Sequence, residues 1–516
     1  MRKKKALINT VFSILLEIVT VISGFILPRL FIGTFGSEVN GLVSSISSFI
    51  GYIILLQSGV GTVAKAAMYK PLAKKEHENL CIVVKTVENF FRKIAVITVI
   101  YIFLLGFLFP YVITPDAGSF VYTFSLVIII GVSTAAQYFF GITHQMLLEA
   151  DQRSYVYSII QILTVIFNTI ISIILIKTGY SVQIVKLGSA VLFVIRPLAL
   201  SIYSRRKYNI DDRVPIDNSL IKQRWDGFAQ AIAYFIHSRT DVFVLTIFAR
   251  LSPNVSLSLV SVYSVYALVT TGLNSFVRAI ERAVTSALGN IIALGERENL
   301  IRAFRAYNNF IHIICTAIFA TASITIFSFV EIYVKDVTDA EYIQYAFGYI
   351  IIAAEYLYCL RSTYTSVIYA AGKFKETKVS AEIEAGLNIL VSVILVPKFG
   401  LIGVAIGTFA AMAYRTVSFI MYLHREVLEF DYKSQIKRYL ITAFSYVAPI
   451  MAFSYVPITV NGYMEWGILA IVVMVITTAV VVVVNLVCNK QETLDVFRTL
   501  LKRNRKQRQE NGETKG

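Results

Sequence analysis

The chain has 516 residues, 56% of them hydrophobic and only 16% charged, with a mean hydropathy of +0.68. Soluble domains carry roughly 25% charged residues, so a soluble enzyme or binding module is excluded. The net charge of +16 is scattered over many short segments, which fits the topology of a membrane protein and not a nucleic-acid patch.

A spanning helix needs roughly 20 apolar residues. In chain order, such stretches lie near 8–31, 42–66, 94–113, 119–146, 154–176, 182–203, 225–249, 256–280, 307–333, 342–370, 377–397, 401–423, 436–458 and 464–487. They are long and unbroken, which favours helices over barrel strands. The expected fold is an all-α integral membrane protein of about 14 spans. The first stretch is too long for a signal's apolar region, and Pro28-Arg29-Leu30 lacks the small residues of a cleavage site, so it reads as a span.

Lys and Arg alternate between loops. The N-terminus holds Arg2, Lys3, Lys4 and Lys5, and the second loop holds Lys70, Lys74, Lys75, Lys85, Arg92 and Lys93. The sixth, eighth, tenth and twelfth loops and the tail are also basic. Odd-numbered loops hold little beyond Lys177, Arg250, Lys335 and Lys398. The positive-inside rule then puts both termini in the cytoplasm, and anionic lipid heads of the bilayer would attract the basic loops.

The first twelve spans fall into two halves. Glu76-His77-Glu78-Asn79-Leu80 is matched 220 positions later by Glu296-Arg297-Glu298-Asn299-Leu300. Asn168 meets Asn388 at the same offset, and Ile195-Arg196 meets Tyr414-Arg415 at 219. Six spans per half keep both halves in one orientation, so a parallel repeat about an axis along the membrane normal is expected. The expected organisation is a six-helix lobe over 1–215, a second over 216–430, two further spans over 431–488 and a basic cytoplasmic tail over 489–516.

No loop is long enough for a separate domain; the longest, near 204–224, has about 20 residues. There is no Walker P-loop, no His-Glu-x-x-His and no nucleophile elbow, so no enzyme is expected. Cys81, Cys315, Cys359 and Cys488 lack metal or redox spacing, and the five histidines lie on different segments. No metal and no cofactor is expected.

Ionisable groups in hydrocarbon are costly and usually face a wet interior or a partner. On the first span Asn9, Ser13, Glu17, Thr20 and Gly24 share one helical face. On the second, Ser44, Ser48, Gly51, Ser58, Thr62 and Lys65 follow one face with a gap at Leu55. The seventh repeats the pattern with Asp226, Gln230, Tyr234, His237 and Asp241, and the eighth with Thr271, Asn274, Arg278 and Arg282. Glu17 and His237 are 220 residues apart and so equivalent in the repeats. These four helices are expected to line a polar cavity between the halves. Small polar residues also permit close helix packing, so the serine positions fit either role. Arg239 is two residues from Asp241, about 200° around the helix, so it faces elsewhere or pairs with an acid on a neighbour. Arg29 either reaches the cavity or snorkels to head groups. Lys65, Arg278 and Arg282 would make the inner mouth electropositive, suited to a diphosphate, and a topogenic role accounts for them equally well. Arg196, Glu355, Arg361, Glu382, Glu384 and Arg415, in the later spans of each half, read mainly as structural ion pairs or anchors.

Phe31-Ile32-Gly33-Thr34-Phe35-Gly36-Ser37-Glu38-Val39-Asn40-Gly41-Leu42, then Ser58-Gly59-Val60-Gly61 and Ser238-Arg239-Thr240-Asp241, resemble stretches of the polysaccharide transporter family. These are the O-antigen and oligosaccharide-lipid flippases, in the superfamily that also holds lipid II flippases and multidrug and toxin extruders. The two added spans favour the saccharide or lipid II branches. The resemblance implies a flippase of a bacterial cytoplasmic membrane that exports a polyprenyl-diphosphate-linked oligosaccharide by alternating access. It implies a proton or sodium gradient as energy source, coupled through Glu17, His237 and Asp241, with His237 titrating most naturally near neutral pH. Partners would be the lipid-linked saccharide, a polysaccharide polymerase and glycosyltransferases. The competing functions are an ion-coupled drug antiporter of the same superfamily, an intramembrane polysaccharide polymerase, and a scaffold without transport.

Overall fold

The structure is a computed structural model and describes residues 2–57, 60–112, 119–217, 219–220, 228–373, 376–428 and 432–490. The regular structure of the described residues is all helical, with no strand among them. In order, the helices are α1 (Arg2–Phe35), α2 (Ser37–Gly51), α3 (Ile54–Gln57), α4 (Val60–Lys74), α5 (His77–Val112), α6 (Phe120–Ala136), α7 (Ile142–Ala150), α8 (Ser154–Lys177) and α9 (Val182–Tyr208). Then come α10 (Phe228–Leu251), α11 (Leu257–Ala293), α12 (Arg297–Tyr333), α13 (Tyr345–Ala370), α14 (Lys378–Phe399), α15 (Leu401–Glu426), α16 (Tyr432–Phe453) and α17 (Tyr463–Cys488). Eleven helical segments among the described residues are long and apolar enough to cross a membrane. Helices α10, α13 and α16 occupy three further positions where the sequence predicts spans and are not among the eleven. Ser58, Gly59, Asp226 and the tail from 491 lie outside the described residues.

Three helices outrun their apolar stretches. Helix α5 begins at His77 rather than near 94, α12 at Arg297 rather than near 307, and α11 runs to Ala293 rather than 280. Hydropathy falls where hydrocarbon ends, but an amphipathic helix continues in water. In α5, Leu80, Val83, Val84, Val87 and Phe91 are buried at helical spacing.

The second predicted span departs more. Helix α2 ends at Gly51, a tight turn at Tyr52–Ile53 leads into α3, and α4 starts at Val60, past residues 58–59, which lie outside the described residues. The turn is tightened by i→i−3 bonds, Tyr52 N–H to the Phe49 carbonyl (3.1 Å) and Ile53 N–H to the Ile50 carbonyl (3.2 Å). Tyr101 Oη also donates to the Phe49 carbonyl, at 2.8 Å. The polar face expected from Ser44 to Lys65 crosses this tightened turn, and Ser58, one of its members, lies outside the described residues.

Contacts divide the chain into two compact units. The first is Met1–Ser264 with Asp336–Ala340 and Val396–Gly400; the second is Val265–Lys335, Glu341–Leu395 and Leu401–Gly516. In the first unit, α1 lies along α8, with Ser23 Oγ 2.7 Å from Thr169 Oγ1. At its basic start, Lys5 Nζ is 3.5 Å from Asp151, and Asn9 bonds the backbone of Gln152 and Tyr155. Between α6 and α7 the chain makes a π-helical turn, Gln137–Gly141. Helix α10 and the start of α11 pack on α2. Ser45 Oγ meets Thr246 Oγ1 at 2.7 Å, and Asn40 Nδ2 donates to Ser261 Oγ at 2.7 Å.

In the second unit α12 is the hub, with 83% of its apolar window buried. Helix α16 docks on it through His312 Nδ1 and Thr442 Oγ1 (2.9 Å) and through Ser323 Oγ and Tyr446 Oη (2.7 Å). Helix α17 docks through Thr321 and Thr477 (2.8 Å) and through Trp466 Nε1, which donates to the Thr325 carbonyl at 3.0 Å. Among apolar surfaces in lipid, such polar pairs and close packing drive helix association.

The glycine-rich stretch 33–41 has a steric cause at Gly41, where a Cβ would lie 1.8 Å from the Leu257 carbonyl oxygen of α11. Gly33 faces open space. Gly41→Ala should lower the thermal midpoint, costing at least about 1–3 kcal/mol through overpacking, while Gly33→Ala should not. Equal midpoints in a detergent melting assay would contradict this packing.

Candidate functional site

Each unit carries a line of polar and charged side chains through its helices. In the first, Lys65 on α4 sits 3.1 Å from Glu149 Oε2 on α7. Gln145, one turn back, donates to the other oxygen of that carboxylate at 3.0 Å. Gln137 Nε2, in the π-helical turn, reaches Gln145 Oε1 at 3.5 Å. Gln137 Oε1 accepts from Arg196 Nη2 at 2.9 Å, and Arg196 Nη1 donates to Gln161 Oε1 at 2.6 Å. One carboxylate thus stands between two cations, so the line keeps a net positive charge. The π turn is what aims Gln137 at both neighbours, and such turns recur at functional sites. Gly141 ends it, where a Cβ would crowd Gln137 Oε1 (2.6 Å) and Pro197 (2.8 Å).

A second cluster closes the basic end of this unit. Arg205 bonds Glu88 at 2.7 and 2.9 Å and Asp212 at 2.7 Å. His144 Nε2 lies 3.2 Å from Glu88 and 3.0 Å from Ser201 Oγ. The Arg205 hydrogen bond, helped by the charges of Arg205 and Lys85, holds the Asp212 carboxyl below its ordinary value.

In the second unit, Asn274 Nδ2 of α11 donates to Glu355 Oε2 of α13 at 2.6 Å, and Cys359 Sγ donates to Asn274 Oδ1 at 3.1 Å. Arg278 donates to Ser275 Oγ at 3.0 Å. Glu384 of α14 is shared by two arginines: Arg361 Nη1 at 2.8 Å and Arg415 Nη1 on its other oxygen. Both guanidiniums also stack on Phe419, at 5.8 and 4.6 Å. Glu281 of α11 lies in the field of Arg361, Arg278 and Arg282.

The positions read from sequence are distributed as follows. Glu17 is exposed on α1, a helix with no buried residue in its apolar window. Arg29 is half-buried further along α1. Lys65 is taken up by Glu149. Asp241 is buried and accepts from Tyr263 Oη at 2.9 Å. Arg278 is half-buried and Arg282 exposed. Tyr234, His237 and Arg239 fall on α10, and their side chains lie outside the described residues.

Sequence reasoning did not find Glu149, the three glutamines, Glu281 or Lys186. Lys186 Nζ sits 4.4 Å over the Phe31 ring, inside α9. Its signal was available, since a lysine falls within the span predicted over 182–203. Glu149 and Gln145 stand just beyond the fourth predicted span and at its edge, where polar residues are ordinary.

No family model and no curated protein matches the sequence. Solved structures do. The lipid II flippase MurJ, in an inward closed conformation, superposes with a TM-score of 0.67 at 17% identity, over 91% of this chain and 98% of that one. A multidrug resistance MATE family transporter of the MOP superfamily, inward-facing, gives 0.62 at 16% identity, over 78% and 94%. An outward-facing MATE structure gives 0.56 at 15%, over 80% and 94%. The chain therefore has the fold of MOP-superfamily transporters.

Exposure separates two kinds of ion pair. Lys65 and Glu149 are 32% and 30% exposed, so their pair is worth about 0–1 kcal/mol and Glu149→Gln should barely move the thermal midpoint. Arg361 and Glu384 are 8% and 5% exposed, and Glu384→Ala would strand two buried arginines at about 3–5 kcal/mol. The reverse order of midpoints would refute this assignment.

Proposed function

We propose that the chain is a transporter that moves a lipid-linked saccharide, carried on a polyprenyl diphosphate, from the cytoplasmic to the outer leaflet of a bacterial plasma membrane. The observation that carries this reading is the reach of the likeness to the lipid II flippase. Residues before α16 are 431 of 516, about 84% of the chain, so a likeness over 91% reaches past the start of α16. The MATE structures cover 78% and 80%.

The chemistry supports the same class. The polar lines of the two units carry six cations, Lys65, Arg196, Arg278, Arg282, Arg361 and Arg415, against four carboxylates, Glu149, Glu281, Glu355 and Glu384, a balance suited to a diphosphate. An extruder of cationic drugs would need the opposite balance. In this reading Arg29, Lys65, Arg239, Arg278 and Arg282 attract the diphosphate, while Tyr234 and Asn274 line the wet cavity that admits the sugar. The lipid tail stays in the bilayer. Glu17, His237 and Asp241 couple the cycle to a proton or sodium gradient. The two six-helix halves, 1–215 and 216–430, alternate access around this site, with 431–488 as an added pair. Both termini are cytoplasmic, and a polymerase and glycosyltransferases act on the same lipid-linked unit.

Deletion of the gene should cause lipid-linked oligosaccharide to accumulate on the cytoplasmic side, with loss of surface polymer. Restoring the gene with Arg278→Ala should leave surface polymer at least about tenfold below wild type, as expected for one lost charge-assisted contact. Normal polymer in a deletion strain without a redundant flippase would refute the reading. Drug resistance conferred on a sensitive host would support the antiporter instead.

A further inference from the structure

We propose that Asp339 is an outer latch: its carboxylate clasps the first turn of α2 and holds outer loops of the first unit together, and each transport cycle must release it. The proposal rests on the alternating-access reading above but not on the identity of the substrate.

The geometry is specific. Asp339 Oδ2 accepts the Ser37 backbone N–H at 2.6 Å, and Oδ1 accepts the Ser37 hydroxyl at 2.6 Å. Ser37 is fully buried, whereas Asp339 is exposed. Ser37 opens α2, so the carboxylate also meets the positive end of the helix. Gly36, just before it, has φ +85°, and a Cβ there would lie 2.9 Å from Asp339 Oδ2. A side chain at position 36 would be both strained and in the way of the carboxylate.

The chain path gives the clasp its meaning. Asp339 lies in the short segment Asp336–Ala340, which belongs to the first unit although the chain on both sides of it belongs to the second. Val396–Gly400 behaves likewise: its Pro397 carbonyl accepts from Ser252 Oγ at 3.1 Å and from Asn254 Nδ2 at 3.2 Å. Two loops of the second half are therefore fastened to the first unit at the end opposite the basic loops. The Pro397 fastening is built from neutral hydrogen bonds. The Asp339 clasp is charge-assisted, so it is the stronger of the two. Its carboxylate is nonetheless exposed, so water can replace the helix as partner when the loop lifts. A contact that is specific when made and solvated when broken suits a latch better than a permanent joint.

The test measures distance without any substrate. In a Cys488→Ser background, spin labels at Glu38→Cys and Asp336→Cys, both exposed positions, report the separation in lipid nanodiscs by pulsed electron resonance. The parent should show one dominant short distance. Asp339→Ala should raise the longer-distance population at least about tenfold, the shift expected for losing a charge-assisted hydrogen bond. Ser37→Ala keeps the backbone bond and should give a smaller rise. Asp339→Asn keeps the shape without the charge and serves if the alanine variant fails to fold. Unchanged distances in all three variants would overturn the latch. Because no ligand is present, that outcome is independent of whether the flippase reading stands.

Discussion

Hydrocarbon offers no hydrogen bonds, so every charge carried into it must be met by the chain itself. That constraint explains most of the particular contacts in this protein. Arg361 and Arg415 converge on Glu384 and stack on Phe419. Arg196 is held by the carbonyl oxygens of Gln137 and Gln161. Lys186 rests on the Phe31 ring. Each solution fixes the spacing of two or three helices, and so the polar interior and the fold are one problem.

Arg196 and Arg415, 219 positions apart in the sequence, are satisfied differently. Arg415 has a carboxylate; Arg196 has two amides and keeps its charge. One of them, Gln137, is placed by a π-helical turn ended at Gly141, a local distortion between α6 and α7, and the other, Gln161, comes from α8. A guanidinium held by amides in the first unit and a carboxylate shared by two guanidiniums in the second make the two units electrostatically unlike.

The spans were legible because burial in lipid demands long apolar runs, and nothing shorter suffices. The helical extensions of α5, α11 and α12 were not, because hydropathy reports where hydrocarbon ends and not where helix ends. The break at Tyr52–Ile53 has a glycine, Gly51, inside both of its tight turns, so the sequence carried a helix-weakening residue there, although not the geometry of the turn. The stripe containing Asn274 and Arg278 was readable from helical spacing, as was Ser275 one turn before Arg278, but Glu355, the partner of Asn274, follows from which helices meet. The Lys65–Glu149 pair joins residues 84 apart, and Asp339 and Ser37 are 302 apart. Contacts of that range depend on topology, which the hydrophobic pattern does not specify. Gly36 and Gly41 were visible as a glycine-rich stretch; their reasons, a positive φ and a close backbone, required the neighbours.

The central claim is that a net-positive polar interior moves a diphosphate-linked lipid across the bilayer. Purified protein in liposomes, loaded with a fluorescent polyprenyl-diphosphate oligosaccharide, tests it most directly through quenching of the label by an impermeant reductant. The account predicts that the protein accelerates loss of the inner-leaflet label, and that a neutral polyprenol-linked sugar is moved far more slowly. Equal rates for the charged and neutral lipids, or no acceleration over empty liposomes for either, would contradict it.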